Sequence, residues 1–503
     1  MDLKVIMSSV VSFKYEELEN KKPDVYESLL EMFTYENPKY QVNERYGYSN
    51  HNVAPNLFTF FIKGDWIHFG RGTVNKVLAV LNANDVRVSI SDRRLVLPSV
   101  KYPWSKIVLR PDDQVPFVND LIAGEQGLGR GYTSFGKTVS GLELIRELEQ
   151  PATIIVHTTE LQRQWFNEAV NKNTFNMPKR LVGGCGGIFQ SKPSVGQLNI
   201  CLYQSLSNPV HMKNYINRTG LLLTDEVQKG AIDDVQKCIK YFPAKYRYGV
   251  TANERRKDGK EFIIYDMFGD VLHTAKEKDS ASKIKANINI VESDYEDLDY
   301  QWDRNHSQLL TRMALDTERN TFILRRVLAR ANAGLQCLIF VERKLQAFIL
   351  AAALMKKGIR VALLLGKMDE DQIASLSGLA RTLALDYEDK KAFEYLVKAG
   401  NDKAQVQVII GTQKIEVGVS IRTLNYAIAT TPVAGSPESV ADRFNQMVGR
   451  IERTHSPELE AVYGVKPVPV FEALVDTNVK GMQKHVTNIK RHYGKRVTII
   501  RRK

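Results

Sequence analysis

The octapeptide GYTSFGKT at residues 131–138 restricts the architecture of this chain more than any other stretch. It matches G-x-x-x-x-G-K-[S/T] at every fixed position, and the VSGLELIRELE that follows has a helical composition. Glycines at these positions let backbone N–H groups close around phosphate oxygens, and the helix N-terminus favours the negative charge. The motif therefore predicts a phosphate-binding loop that opens a helix within an α/β domain.

The chemistry of such a loop assigns a role to each of its residues. Lys137 would reach the β- and γ-phosphates of ATP, and the Thr138 hydroxyl would hold Mg²⁺. The remaining phosphate contacts would come from Gly131, Thr133, Ser134 and Gly136. The preceding GEQGLGRG is rich in glycine and is not predicted to form a β-strand, although this kind of loop normally follows one.

Short apolar runs alternate with helical stretches from about residue 100 onward. These runs are TIIVH at 153, LNICLY at 198, LLLTDE at 221, QCLIFV at 336, VALLL at 361 and VQVIIGT at 406. Continuous apolar strands separated by helices are typical of parallel sheets. We therefore predict two α/β domains, with the polar stretch between 272 and 300 as the joint.

A pair of acidic residues ends one of these strands. Asp225 and Glu226 follow the apolar run LLLT. In that position Asp225 can hold the Mg²⁺ shell, and Glu226 can orient or deprotonate an attacking water. Such acids at strand ends are common, but together with the upstream phosphate loop they predict a nucleoside triphosphatase.

The first hundred residues have a different pattern. Ten aromatic residues lie between Phe33 and Phe69, and the alternation around Phe58 and Phe60 favours strands. We predict a small α+β accessory domain. Its rings would form the core or stack on unpaired bases, and the balanced charge of this region weakens the second interpretation.

The basic charge is concentrated at the C-terminus. The chain has 70 Lys and Arg against 57 Asp and Glu, which favours a polyanionic partner. Residues 480–503 hold nine basic residues and no acid, around an apolar stripe formed by Met482, Val486, Ile489 and Tyr493. This predicts a helix ending at Gly494, docked on a neighbouring domain, in contact with nucleic-acid phosphates, or both. Deletion of 480–503 would then weaken DNA binding and leave basal ATP hydrolysis nearly intact.

Other features point to a cytoplasmic setting. The four cysteines are far apart in the sequence, without a CxxC pair, so neither a disulfide framework nor a zinc site is expected. We expect no membrane span and no signal peptide, because the sequence contains no apolar run of suitable length and Met1 to Val11 lacks the required order.

The blocks around these motifs resemble, in order, those of superfamily two helicases over roughly residues 105–475. They are LRPDDQ at 109, TIIVHTTELQRQW at 153, LYQSL at 202, DEVQ at 225, GVTANERRKDG at 249, CLIFVERKLQA at 337, VIIGTQKIEVGVSI at 408 and QMVGRIER at 446. The resemblance implies two tandem RecA-like domains, preceded by the small α+β domain and followed by the basic helical tail. The expected boundaries are 1–100, 101–285, 286–475 and 476–503.

The resemblance also implies roles for individual residues, with ATP and Mg²⁺ as cofactors. The catalytic residues would be Lys137, Asp225, Glu226, Gln446, Arg450 and Arg453, the last two stabilising charge on the γ-phosphate. Further nucleotide contacts would come from Arg110, Gln114 and Gly418. Nucleic acid would be bound by Thr158, Gln204, Ser205, Arg343 and Thr412, and on the tail by Lys484, Lys490 and Arg491.

Three motifs depart from the family pattern. Gln228 replaces the usual His or Asp of motif II, Asn253 and Glu254 replace the Thr-Pro of motif III, and Val417 stands where motif V often has Glu. These positions concern coupling between ATP and nucleic acid, so we expect ATP hydrolysis to persist and its stimulation to be tuned differently.

Within the superfamily, the sequence is most similar to the phage UvsW group, relatives of RecG and XPB. That similarity implies a monomeric ATP-dependent DNA helicase or translocase in the host cytoplasm. It would remodel branched DNA, such as replication forks, Holliday junctions, R-loops or D-loops, in phage recombination, replication and repair. The alternatives are an RNA helicase, a duplex translocase that does not unwind, and a non-enzymatic nucleic-acid-binding or annealing protein switched by ATP.

Overall fold

The chain divides into two compact units, Met1–Glu277 and Lys278–Lys503, and each is described by itself. The structure is a computed structural model. It describes residues 1–102, 107–132, 135–190, 193–228, 238–252, 256, 258–275, 284–299, 305–366, 368–412, 421–431, 437–479 and 481–500. Among these residues no helix combines the length and apolar character required to cross a membrane.

An α+β domain opens the first unit, as the sequence predicts. Its five-stranded sheet has the order β5-β6-β2-β1-β7, in which only β1 and β7 pair in parallel. The core includes Val5, Phe13 and Phe69, all nearly fully buried. The strands are β1 (Asp2–Met7), β2 (Val10–Lys14), β3 (Thr34–Glu36), β4 (Asn56–Phe58), β5 (Phe60–Lys63), β6 (Trp66–Gly70) and β7 (Arg87–Asp92), and the helices are α1 (Glu16–Lys21), α2 (Pro23–Met32), α3 (Pro38–Tyr46) and α4 (Val74–Ala83).

A parallel seven-stranded sheet forms the rest of the first unit, in the order β10-β11-β9-β12-β13-β8-β14. Central strands β9 and β12 are buried along their whole length, which explains their continuous apolar sequences. The strands are β8 (Gln126–Arg130), β9 (Ala152–Val156), β10 (Val182–Gly183), β11 (Leu198–Leu202), β12 (Leu221–Asp225), β13 (Tyr246–Thr251) and β14 (Val271–Thr274), and the helices are α5 (Gln114–Gly124), α6 (Lys137–Leu148), α7 (Thr159–Val170), α8 (Tyr203–Leu206), α9 (Pro209–Met212) and α10 (Phe262–Phe268).

The glycine-rich segment before the phosphate loop is strand β8, so the sequence-based expectation for it was wrong. A Cβ atom on Gly129 would lie 2.4 Å from the Phe117 ring, and one on Gly127 would lie 2.5 Å from the Leu272 side chain. Bulky neighbours therefore fill the space over the two positions of the strand that lack a side chain, Gly127 and Gly129.

The N-terminal domain packs directly on the parallel-sheet domain. The buried Arg71 guanidinium donates hydrogen bonds to the carbonyl oxygens of Ala244 (2.6 Å) and Lys245 (3.3 Å). The Tyr35 ring stacks on Phe262 with centroids 4.0 Å apart. A Cβ atom on Gly70 would lie 2.2 Å from the Asp266 carboxyl group, so only glycine permits this close approach.

A second parallel seven-stranded sheet, in the order β17-β18-β16-β19-β20-β15-β21, forms the second unit. Two tandem RecA-like domains are therefore confirmed. The strands are β15 (Asn287–Glu292), β16 (Gln336–Phe340), β17 (Val361–Leu364), β18 (Val408–Gly411), β19 (Leu424–Ala429), β20 (Val470–Val475) and β21 (Val497–Ile500), and the helices are α11 (His306–Leu315), α12 (Thr317–Asn332), α13 (Lys344–Met355), α14 (Glu370–Ala374), α15 (Gly378–Leu385), α16 (Asp389–Ala399), α17 (Pro437–Val448), α18 (Pro457–Tyr463) and α19 (Gln483–Tyr493).

The C-terminal segment contains the expected helix, α19, which Gly494 ends. Its apolar stripe lies in the core of the second unit, where Met482 and Ile489 are buried. The sequence did not indicate the next strand, β21, which pairs in parallel with β15 from Val497 to Ile500. The segment is thus an integral edge of the second sheet.

Candidate nucleotide and nucleic-acid sites

The phosphate loop joins the carboxyl end of β8 to the first turn of α6. Gly136 precedes the helix with φ of +90°, a conformation that favours glycine. Lys137 is the first helical residue, and its ammonium lies 3.3 Å from the Gly131 carbonyl oxygen. This is the arrangement that the motif predicts. Thr133 and Ser134, also predicted to contact nucleotide, lie outside the described residues.

The acidic pair at the end of β12 reaches this loop. Glu226 Oε1 lies 3.4 Å from the Lys137 ammonium, and both side chains are largely buried. Asp225 Oδ2 accepts a hydrogen bond of 2.8 Å from the Trp165 indole N–H. Burial, followed by the charge of Glu226, raises the pKa of Asp225 to about 6, while Lys137 opposes this shift. The structure therefore brings together Lys137, Asp225 and Glu226.

The residues at this edge fit Mg²⁺ and a nucleoside triphosphate. Asp225 Oδ1 is buried and has no hydrogen-bond partner among the described residues, so a carboxylate oxygen remains available to a metal ion. The nearby Thr138 hydroxyl accepts a hydrogen bond of 3.0 Å from Gln164 Nε2. The donor set, one hydroxyl and one carboxylate oxygen beside phosphate oxygens, is the kind Mg²⁺ prefers.

Gln228 links the acidic pair to motif III, a role that its departure from the family pattern did not reveal. Its Nε2 donates to Glu226 Oε2 at 2.6 Å, and its Oε1 accepts from the Thr251 hydroxyl at 2.6 Å. The Gln228 backbone carbonyl also accepts a hydrogen bond of 2.7 Å from Arg256. A movement of Thr251 at the end of β13 would therefore shift Gln228 and, through it, the Glu226 carboxylate. Positions 253–254 of motif III lie outside the described residues.

Arg110 and Gln114 form hydrogen bonds to the backbone of the phosphate loop. Gln114 Nε2 and Arg110 each donate to the Phe135 carbonyl oxygen, at 2.8 and 2.7 Å. Gln114 is buried, and its Oε1 accepts the Arg110 backbone N–H. Both residues thus lie beside the loop, and their predicted contact with the base of ATP stays a prediction.

The nucleic-acid candidates of the first unit lie at the carboxyl ends of two neighbouring strands. Thr158 follows β9, and its hydroxyl caps α7 by accepting the Leu161 N–H. Gln204 and Ser205 lie in α8, directly after β11, and Gln204 Nε2 donates to the His157 carbonyl oxygen at 3.2 Å. Since β9 and β11 are paired, the structure places these three residues at one edge of the sheet.

The second unit carries the remaining candidates on separate elements. Arg343 precedes α13 and donates to Ser307 (2.7 and 2.8 Å) and Thr311 (3.2 Å), while Thr412 follows β18. Gln446 lies near the end of α17, with Arg450 and Arg453 shortly after it. Burial and the neighbouring Arg450 lower the pKa of Arg453 to about 9. Gly418 and Val417 lie outside the described residues.

The motif VI turn has a support that the sequence did not indicate. The buried Lys466 ammonium donates to the carbonyl oxygens of Arg422 (2.8 Å), Ile451 (2.8 Å) and Arg453 (2.7 Å). Its three N–H bonds thus tie together the backbone around both arginines. In the sequence, a lysine such as Lys466 is expected at the surface, so this role becomes visible only in the structure.

Part of the chain is similar to a protein family and to known proteins. Residues 124–256 match the family model described as type III restriction enzyme, res subunit. The chain is 26% identical over 192 residues to the probable helicase D10 of Escherichia phage T5, which covers 38% of this chain and 40% of that protein. It is also 26% identical over 197 residues to the DNA 3'-5' translocase XPB2 of Sulfurisphaera tokodaii, covering 39% of this chain and 42% of the relative. The matches thus span less than half of either relative.

The fold resembles that of one solved structure, and a second solved structure also aligns with the chain. S. cerevisiae Dbp5 bound to RNA and ADP BeF3 aligns over 78% of this chain and 89% of its own, with a TM-score of 0.52 and 14% identity. The crystal structure of T4 UvsW aligns over 100% of both chains, with a TM-score of 0.41 and 15% identity.

Proposed function

We propose that this chain, which is a superfamily two helicase, hydrolyses ATP to move along DNA and to remodel branched DNA. The observation that carries the proposal is the grouping of Lys137, Asp225 and Glu226 around the phosphate loop. This grouping supplies a cation for the phosphates, a metal ligand and a base for water within one sheet edge.

Within this proposal the first RecA-like domain holds ATP. Gly131, Gly136 and Lys137 bind the phosphates, and Thr138 and Asp225 hold Mg²⁺, which neutralises charge on the phosphate oxygens. Glu226 orients the attacking water and accepts its proton. Gln228 holds Glu226 through a hydrogen bond of 2.6 Å and thereby fixes the direction of its carboxylate.

The second RecA-like domain supplies the arginines. We propose that Arg450 and Arg453 stabilise charge that develops on the γ-phosphate, as the order of motifs implies. A guanidinium remains charged at neutral pH and presents several N–H donors, which suits this role. Hydrolysis would then alternate two arrangements of the domains and drive translocation.

DNA would be bound mainly through its phosphates, and therefore without sequence preference. Thr158, Gln204 and Ser205 share one edge of the first sheet, where a single strand would cross it. Lys484, Lys490 and Arg491 are exposed on α19. The similarity to a DNA 3'-5' translocase and to a phage helicase supports DNA as the polymer. We further propose that the protein acts as a monomer in the cytoplasm of a phage-infected cell.

The test is steady-state ATP hydrolysis with no nucleic acid, single-stranded DNA, linear duplex, a four-way junction, and RNA. We expect the strongest stimulation with the junction. Lys137→Ala should abolish hydrolysis, and Lys179→Ala, which changes an exposed lysine of the same domain, should not.

Each other outcome points to a different function. Stimulation by RNA alone would indicate an RNA helicase, and stimulation by linear duplex without strand separation would indicate a translocase. If no polymer stimulated hydrolysis, ATP would act as a binding switch. Full turnover in Glu226→Gln would refute the assignment of the base.

A further inference from the structure

The C-terminal segment, residues 483–500, contacts the helix that leads into motif VI. The Tyr493 hydroxyl of α19 donates to Asn445 Oδ1, and His492 Nε2 lies 3.0 Å from the same oxygen. The Tyr493 ring also packs on Phe444, with centroids 5.4 Å apart. Asn445 directly precedes Gln446, so the end of α19 contacts α17 next to the first residue of the motif.

A second contact holds the turn between the two motif VI arginines. Glu452 lies between Arg450 and Arg453 and is only 8% exposed. Arg496 donates to Glu452 Oε1, and donates to the Ala286 carbonyl oxygen at 2.8 Å. The same Glu452 oxygen accepts the Ala286 N–H at 2.9 Å, and its backbone carbonyl accepts the Ile284 N–H at 2.8 Å. Glu452 is therefore held by hydrogen bonds to the residues directly before β15.

These contacts constrain the arginines more than they stabilise the fold. The apolar stripe already holds α19 in the core, through Met482 and Ile489. The polar contacts fall on residues directly beside Gln446, Arg450 and Arg453. A buried carboxylate that loses its cationic partner is strongly destabilised, and Glu452 would then move toward water and carry its neighbours with it. A displacement of about 1 Å at a catalytic group can lower a rate by up to about a hundredfold.

The opposite face of the same helix carries charge. Lys484, Lys490 and Arg491 are exposed, while Ile489 on the stripe is buried. One short element thus presents cations to solvent and hydrogen bonds to motif VI.

We propose that residues 483–500 are a positioning element for motif VI, through which DNA phosphates bound on α19 set the placement of Arg450 and Arg453. Arg496 and Tyr493 reach the arginines through Glu452 and Asn445, and so they are positioning residues. The proposal rests on the proposed function, because it gives the motif VI arginines a role in ATP hydrolysis.

The first test compares Arg496→Met with Arg326→Met in the full chain. Arg326 is a matched control, because it pairs with Glu472 in the same unit and its side chain is 23% exposed against 30% for Arg496. We expect Arg496→Met to lower kcat for DNA-stimulated hydrolysis by roughly tenfold or more, with little change in KM for ATP. Arg326→Met should leave kcat unchanged, and Arg496→Lys should restore part of it. Equal kcat values for Arg496→Met and Arg326→Met would overturn the proposal.

The second test needs no hydrolysis. Amide hydrogen exchange of residues 444–454 should be faster in Arg496→Met than in Arg326→Met, and a junction DNA should slow it in the wild type but not in Arg496→Met. Unchanged exchange in Arg496→Met would overturn the proposal, even if the wild type proved to lack ATPase activity. A wild type without ATPase activity, in contrast, would refute the proposed function.

Discussion

Ionisation of Asp266 should weaken the packing of the N-terminal domain on the first RecA-like domain as pH rises toward 7. The carboxyl group lies at the seam between these domains, against Gly70. Burial raises its pKa to about 7, although hydrogen bonds from the Gly70 N–H and Thr59 hydroxyl, and the charges of Arg247 and Lys76, oppose this shift. The folded chain therefore keeps a proton there that the unfolded chain releases near 3.8.

The sign and size of the effect are set by this difference. The folded state binds more protons between about pH 4 and 7, so its stability falls across that interval and is constant above it. A shift of about three pH units corresponds to about 4 kcal/mol, as an upper estimate. Between pH 5 and pH 8 the wild type should lose roughly 2–3 kcal/mol relative to an uncharged isostere.

Asp266→Asn supplies that isostere. Its amide oxygen can accept from Gly70, and its NH₂ group would occupy the place of Oδ1, for which the described part of the chain offers no hydrogen-bond partner. Any destabilisation by that unpaired NH₂ group is independent of pH. The effect of Asp266 ionisation is therefore measured by how the stability difference between variant and wild type changes with pH. In thermal unfolding at pH 5, 6, 7 and 8, the stability of Asp266→Asn relative to the wild type should increase with pH. The stability of Asp270→Asn, which changes an exposed carboxylate, should instead differ from that of the wild type by the same amount at each pH. Parallel curves for Asp266→Asn and wild type would refute the reasoning.

Three further substitutions test the site. Gln228→Ala removes the side chain that connects Glu226 and Thr251. DNA should therefore stimulate ATP hydrolysis by this variant several-fold less than by the wild type. The control Gln190→Ala, which changes an exposed glutamine, should match the wild type. Trp165→Phe keeps the ring but removes the N–H that orients Asp225, and half-maximal hydrolysis should need more Mg²⁺; an unchanged Mg²⁺ titration would count against this role. Lys466→Met leaves three carbonyl oxygens, one of them in a buried hydrogen bond, without their donor and should lower the free energy of unfolding by about 1–3 kcal/mol, measured by denaturant unfolding.

The sequence predicted the elements that have a strong local signal. All six apolar runs form buried parallel strands, and the phosphate loop and the acidic pair meet where the strands end. These successes share a cause, since continuous burial on both faces of a sheet leaves an apolar run in the sequence.

The failures share a cause as well. Strand β8 carries glycines because Phe117 and Leu272 fill the space above it. These two residues belong to other elements, α5 and β14, so the sequence of β8 itself does not show them. The sequence shows Gln228 only as a departure from the family pattern, because its partner Thr251 lies on another strand. Contacts made by one residue with distant segments leave no local periodicity.

The C-terminal segment is predicted only in part, for the same reason. Its sequence predicts a docked helix, as observed, and also an appendage whose deletion spares basal hydrolysis, but it does not indicate β21, which completes the second sheet next to the buried Met482 and Ile489. Burial of each such side chain stabilises by about 1.5–3 kcal/mol, so the two together contribute roughly 3–6 kcal/mol, comparable to the lower end of the stability of a typical domain, about 5–15 kcal/mol. Deletion of 480–503 should therefore unfold the second unit and abolish basal hydrolysis, not merely weaken DNA binding.

Substitution of the exposed cations separates the two roles. In a chain with Lys484→Ala, Lys490→Ala and Arg491→Ala the stripe stays intact, so cooperative unfolding should remain close to that of the wild type. The slope of log affinity for duplex DNA against log salt should fall by about 0.9 for each DNA phosphate that the variant no longer binds. If the deletion variant instead melted cooperatively and hydrolysed ATP at the basal rate, the segment would be the appendage that its sequence suggests, and the hydrogen bonds of Arg496 and Tyr493 would have no bearing on motif VI.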